Sequence, residues 1–244
     1  MLRENGFDPE FGKTVDAQVA ATKQPAAPDI GVRDLRGLQW SSIDNTESRD
    51  LDQIEVAERL PTGAIRILVA IADVDALVAN GSPADLHARE NSTSVYTGVQ
   101  VFPMLPEQFS TNLTSLNPNT DRVAVVIENV VEQNGDVSTY DVYRGLVRNQ
   151  AQLAYDDTGR WLENTPGGTV QPPDIVAKTN GLAQQLRLQW EAAVRLKQER
   201  ERNGALELET IEATPVAQGG RVVDLKLTHK SAARDLIEDF MIAS

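Results

Sequence analysis

The pair Asn134-Gly135 stands between two long β-rich runs, residues 123–131 and 137–146. A two-residue turn that matches the twist of its strands needs positive φ at both central positions, and Asn-Gly adopts it at least cost. This stretch therefore has to be an antiparallel hairpin. Residues 54–58 alternate apolar and acidic, Pro61-Thr62-Gly63 breaks the chain, and residues 65–72 form a nearly continuous apolar run. That pattern predicts a second hairpin whose returning strand is buried on both faces. Residues 206–211 and 222–227, joined through Gly219-Gly220, predict a third. Helical spacing runs over 13–22, over 73–90 with an interruption at Gly81-Ser82-Pro83, over 175–202 up to Asn203-Gly204, and over 231–243. Residues 91–116 carry Pro103 and Pro106 and predict a long loop with short turns. The expected class is α+β, with mixed or antiparallel sheets flanked by helices. Residues 1–31 are polar and end in a Pro/Ala-rich stretch, which predicts a lead-in or linker ahead of one domain at 32–244.

Composition narrows the chemistry. No apolar run approaches the roughly 18 residues of a membrane span, so no membrane partner is expected. With Cys 0, disulfides and thiol catalysis are impossible, and residues 1–13 lack the apolar core of a secretory signal, so a cytoplasmic address is expected. His87 and His229 are the two histidines; they are isolated in sequence and expected at the surface. The formal net charge of -13 argues against nonspecific coating of nucleic acid, which needs a basic surface. It does not argue against a nuclease, because clustered carboxylates can hold hard cations that bridge to an anionic substrate.

The densest cluster of this kind is Ser42-Ile43-Asp44-Asn45-Thr46-Glu47-Ser48-Arg49-Asp50-Leu51-Asp52-Gln53. Asp50 and Asp52, two apart, project to one side of an extended segment, and a turn through 45–48 folds Asp44 back beside them. Three such oxygens make a site for Mg²⁺ or Mn²⁺. The same spacing is satisfied by a solvated acidic loop in which Asp44 caps a turn. Asp73, at the end of the 67–72 strand, reads as a strand-end cap rather than a metal ligand. Trp40, Trp161 and Trp190 sit among apolar neighbours and read as core. Arg195, Lys197, Arg200 and Arg202 form a basic helix turn interleaved with Glu199 and Glu201, the pattern of a solvated charged face that could also touch phosphates.

Asp34-Leu35-Arg36-Gly37-Leu38, followed by Ser42-Ile43-Asp44-Asn45 and Ser48-Arg49-Asp50-Leu51-Asp52, resembles the signature of the ribonuclease II and ribonuclease R family, whose catalytic part is the RNB domain. The likeness continues in order through Val69-Ala70-Ile71-Ala72-Asp73, Pro103-Met104-Leu105-Pro106, Leu113-Thr114-Ser115-Leu116, Trp161-Leu162-Glu163-Asn164 and Leu236-Ile237-Glu238-Asp239-Phe240-Met241-Ile242-Ala243. It covers residues 33–244. The resemblance implies an enzyme, a magnesium- or manganese-dependent exoribonuclease that degrades single-stranded RNA from its 3′ end and releases nucleoside 5′-monophosphates. One ion on Asp44, Asp50 and Asp52 would activate water and polarise the phosphate, and a second, held by substrate and water, would stabilise the leaving 3′-oxygen. Asp52 is the residue on which that chemistry leans most.

By the same resemblance Tyr96 and Tyr155 fall where aromatic rings stack on bases near the 3′ end, and Glu238 where an acid contacts the terminal nucleotide. The chain departs from the family in three ways. Gln53 replaces a fourth Asp, Leu208 stands in place of a second stacking aromatic, and a later arginine-bearing segment and flanking oligonucleotide-binding barrels have no counterpart here. The expectation is the N-terminal portion of an RNB-like domain, with weak and distributive activity. The apolar face of 236–243 is expected to be exposed and to drive self-association. Two other functions fit the residues: an RNA-binding fragment without turnover, and a metal-dependent hydrolase of a smaller ester or amide.

Overall fold

The computed structural model describes residues 2–164, 168–206, 212–228 and 230–244. Its elements run α1 (Lys13–Ala21), β1 (Arg33–Asp34), β2 (Ser41–Asp44), β3 (Gln53–Arg59), β4 (Ile65–Ala72), α2 (Pro83–Asn91), β5 (Val95–Tyr96), β6 (Val101–Phe102), β7 (Asp121–Val131), β8 (Val137–Arg148), β9 (Ala151–Ala154), α3 (Tyr155–Leu162), α4 (Asp174–Lys178), α5 (Leu182–Arg202), β10 (Glu212–Gln218), β11 (Arg221–Thr228) and α6 (Ala232–Ala243). The chain divides into two compact units, one of residues 27–72, 116–208 and 230–244, the other of 1–26, 73–115 and 209–229.

The larger unit is built on a seven-stranded sheet in the order β1-β8-β7-β4-β3-β2-β9. Its centre is the pair of hairpins expected from the sequence, β3–β4 and β7–β8, joined by antiparallel pairing of β4 with β7. β4 is buried on both faces: Ile65, Ile67 and Val69 enter a core beneath α3, α5 and α6, while Leu68 and Ala70 enter a second core with Trp40, Leu51, Ile54 and Val126. Two pairings are parallel, β1 with β8 and β2 with β9. They join segments about a hundred residues apart and make the sheet mixed. Trp40 and Trp161 are buried, and Trp190 packs against the first core.

Several expectations need correction. The long helix divides at Asn180-Gly181, where Gly181 takes φ 82° and separates α4 from α5; the apolar period continues across the break and hides it. The third hairpin turns at Gly219-Gly220 as expected, but its first arm is β10, because a tight turn forces Gln218 to pair with Arg221. Pro215 in that arm is tolerated since a two-stranded ribbon always has a free edge. Most of 206–211 lies outside the described residues, as do Leu208 and His229. The largest correction concerns α6. Leu236, Ile237 and Phe240 are buried against α3 and α5, leaving Met241 and Ile242 exposed, so the basis expected for self-association is covered by the unit's own helices.

In the smaller unit α1 packs on α2 through Val15, with Ala84, Leu105 and Phe109 in the same cluster. Residues 91–116 include the short β5–β6 hairpin. His87 is half-buried, 4.6 Å from the ring of Phe11 and 3.1 Å from Asn91 Nδ2, so it is a packing residue rather than a surface one. Asp73 accepts the Ala76 N–H at 3.1 Å, the capping role expected of it.

Candidate active site

Asp44 is the last residue of β2, registered beside Ala154 at the end of β9. The next residue, Tyr155, begins α3. The turn after Asp44 closes as the sequence predicts, with Ser48 N–H donating to Asn45 O at 3.1 Å, and Gln152 Nε2 ties Ser48 O to β9 at 3.0 Å. Asn45 N–H donates to Asp44 Oδ1 at 2.7 Å, so the turn-capping role of Asp44 is also real.

Beyond the turn the backbone is extended and pinned. Leu51 is buried in the second core, its carbonyl accepts Leu116 N–H at 2.9 Å, and Asp52 O accepts Ala72 N–H at 2.8 Å. Because side chains alternate, burying Leu51 turns Asp50 and Asp52 together to the opposite side. Their proximity shows in the chemistry of Asp52, whose carboxyl is pushed up to about 6, first by burial and then by the charges of Asp50 and Asp44. The residue remains exposed to solvent, which screens the effect, and the like charges of Asp50 and Asp44 add to that of burial. Among the described residues no three acidic or histidine side chains gather at metal-ligating distance. The donor set, carboxylate oxygens held close enough to repel, is nonetheless the chemistry that a hard divalent ion relieves.

Around Tyr155 the helices complete the site. Gly159 of α3 lies against the start of α6, where a Cβ would come within 2.7 Å of Ser231 Oγ, and only glycine permits that approach. Ser231 caps α6 by accepting Arg234 N–H. Arg234 then stacks its guanidinium 4.4 Å from the Tyr155 ring centroid and donates to Asn45 Oδ1 at 3.2 Å. The Tyr155 hydroxyl is pushed up to about 12, by burial first and then by Asp44 and Glu55, against the opposing pull of Arg234. Asp44, Tyr155 and Arg234 thus form one electrostatic neighbourhood. Glu238 is exposed one turn further along α6 from Arg234, and Gln53 is half-buried at the start of β3. Tyr96 belongs to the smaller unit, on β5, and the residue is 67% exposed.

Sequence reasoning missed two residues. Arg234 had a legible signal, since it lies four residues before Glu238 on the same helical face. Glu55 reads in sequence as the polar member of an alternating strand, yet it is 0% exposed, and burial followed by Asp44 drives its carboxyl well above the ordinary range.

The basic turn of α5 is structural. Lys197 pairs with Asp235 at 3.0 Å, Arg200 with the buried Asp239, Arg202 with Glu199, and Arg195 with Glu191 and the carbonyl of Gly63. Two of these bases, Lys197 and Arg200, are held by acids of α6, while Arg195 and Arg202 pair with acids one turn away on α5 itself.

A family model described as RNB domain matches residues 32–244. Ribonuclease R of Escherichia coli K12 is 33% identical over 99% of the chain, which spans 29% of that relative. The chain therefore covers less than a third of such curated relatives. The solved structure of Mycoplasma genitalium RNase R in complex with ribose methylated single-stranded RNA superposes with a TM-score of 0.87 at 25% identity, over 99% of this chain and 37% of that one. Yeast Ssd1, described as a pseudonuclease, shares the fold at a TM-score of 0.65 and 15% identity, over 89% of this chain and 26% of its own. Motif order, fold and family match agree, and the chain belongs to the RNB domain family.

Proposed function

We propose that this chain carries the metal-holding carboxylates and a base-stacking ring of an exoribonuclease that hydrolyses single-stranded RNA from the 3′ end and releases nucleoside 5′-monophosphates. The observation that carries the reading is the crowding of Asp44, Asp50 and Asp52 at the strand end where Tyr155 begins, with Arg234 across the ring. The family supports it, as do the relatives named ribonuclease R and the solved relative that holds single-stranded RNA.

In this reading Asp44, Asp50 and Asp52 hold Mg²⁺ or Mn²⁺, which supplies polarisation of the phosphodiester and an activated water. Asp52 meets the largest repulsion from its neighbours and so gains most from a bound cation. Tyr155 offers a π-face to the terminal base, a contact worth roughly 1–3 kcal/mol that does not read base identity. Arg234 fixes the ring from its other side and brings a positive charge beside it. Tyr96 provides a further ring, an exposed one, and Glu238 an acid that contacts the terminal nucleotide. A cytoplasmic site of action goes with this reading, on the strength of a composition without cysteine.

The second reading is RNA binding without turnover. Two observations favour it: Gln53 is neutral, and the same fold serves in a protein described as a pseudonuclease. Incubation with 3′- and 5′-labelled single-stranded RNA and Mg²⁺ or Mn²⁺, with products resolved by length, separates the two. Release of mononucleotides that disappears in Asp52→Asn supports the enzyme; a retarded but intact strand supports the binder.

A further inference from the structure

On the helix-covered face of the large sheet, oxygen atoms from four elements are buried without hydrogen-bond partners. Ser41 of β2 lies directly opposite Glu55 of β3, so their side chains leave the same face. Both carboxylate oxygens of Glu55 and the hydroxyl of Ser41 are unbonded, and both residues are fully buried. From α5, Gln189 donates its Nε2 to Glu55 O at 3.3 Å and to Gln185 Oε1 at 3.4 Å. Two acceptors fix which end of the amide is nitrogen, which leaves Gln189 Oε1 as a buried acceptor facing no donor. Thr158 of α3 is fully buried with its hydroxyl unbonded, one turn beyond Tyr155, whose phenol feels the charge of Glu55.

On these four residues the orphaned atoms are all oxygens, while the buried, unbonded Nε of Arg234 belongs to a guanidinium that lies over the Tyr155 ring. The charged or titratable groups that bear on Glu55 are Asp44 and Tyr155, and neither is a cation. Burying a carboxylate this completely, with nothing to bond it, is costly unless a partner neutralises it. One carboxylate, two hydroxyls and an amide oxygen form a hard donor set with a single negative charge. Calcium sites gather more ligands and usually more carboxylates, and magnesium retains several waters. The single charge matches a monovalent ion.

We propose that Ser41, Glu55, Thr158 and Gln189 form an internal site for a monovalent alkali cation, Na⁺ or K⁺, between the sheet and helices α3 and α5. The ion joins β2, which carries Asp44, and β3, which follows Asp52, to the helix that carries Tyr155. The site does not depend on the ribonuclease reading, and it is tested without RNA.

The test is thermal unfolding of the full chain at pH 8 in choline chloride with a divalent chelator, replacing choline by Na⁺ or K⁺ at constant ionic strength. A saturable rise of about 2–5 °C is expected, together with broadening of the ²³Na resonance that K⁺ reverses. Glu55→Gln, equal in size but neutral, should lose both responses. Thr158→Val, which exchanges a hydroxyl for a methyl, should weaken the apparent affinity by about tenfold. Equal melting in choline and in alkali salts overturns the site and leaves a protonated Glu55 with internal water. A wild-type response in Glu55→Gln overturns it too. Should Glu55→Gln fail to fold, Thr158→Val decides alone: a response of wild-type strength rejects the site.

Discussion

Two acidic clusters lie in the large unit, and they have opposite company. Asp235 and Asp239 of α6 face Lys197 and Arg200 of α5, and the carboxyl of Asp239, raised to about 6 by burial, is pulled back by Arg200. Asp52 reaches about the same value from burial reinforced by Asp50 and Asp44, with no cation among its causes. Equal perturbation therefore has two meanings. A carboxylate offset by a base is a structural joint, while one crowded by its own kind calls for a partner from outside the chain. Part of the most basic stretch of sequence is spent on the fold in the same way: Lys197 and Arg200 hold α6, and Arg195 and Arg202 pair with acids of α5 itself.

Replacing one residue from each cluster sharpens the contrast. Asp52→Asn should lower turnover by roughly a hundredfold or more, since it removes charge from the metal site. Its affinity for an oligonucleotide in a retardation assay should stay within a few-fold of wild type. A chain with wild-type turnover would remove Asp52 from the chemistry. Asp239→Ala should act the other way, costing about 2 kcal/mol by stranding Arg200, less than a fully buried pair because Arg200 keeps access to water. Chemical denaturation measures that loss, and the response of melting to Mn²⁺ should be unchanged.

Stacking comes next in size. Tyr96→Ala and Tyr155→Ala should each lose about 1–3 kcal/mol of oligonucleotide binding, read by fluorescence anisotropy with a noncleavable strand. Loss at Tyr155 alone would confine the RNA contact to the large unit.

The titration of Asp52 offers a smaller test. Its folded value near 6 lies above the ordinary 3.8, so between those values the folded chain holds a proton that the unfolded chain has released. The contribution of this group to stability therefore declines as pH rises through that window, and the carboxylate is ionised above it. Protons and Mn²⁺ compete for the same oxygens. Affinity for Mn²⁺ by calorimetry should be level above neutral pH and fall about tenfold per unit below 6, a slope that Asp52→Asn should flatten. The smallest effect belongs to an exposed pair: Lys178→Ala, which breaks the 2.6 Å contact with Asp174, should leave the chemical denaturation midpoint unchanged.

What the sequence determined by itself was local. Asn134-Gly135 marks a hairpin, in which Gly135 alone takes positive φ, at 95°, and the unbroken run 65–72 dictates a strand buried twice because every side chain must find a core. Asp44, Asp50 and Asp52 were legible as candidates for a similar reason: a turn and a two-residue alternation are local features, although Leu116 and Ala72 pin the segment that carries them. The tertiary structure alone decided what depends on distant segments meeting. Parallel pairing of β2 with β9 sets Asp44 beside Tyr155, and the contact at Gly159 brings Arg234 over that ring. Packing of α6 on α5 turns a basic face into ion pairs and hides Leu236 and Phe240. Glu55 shows the limit most clearly, since alternation tells which side of a strand a residue faces, but only the helix laid across that side makes it interior.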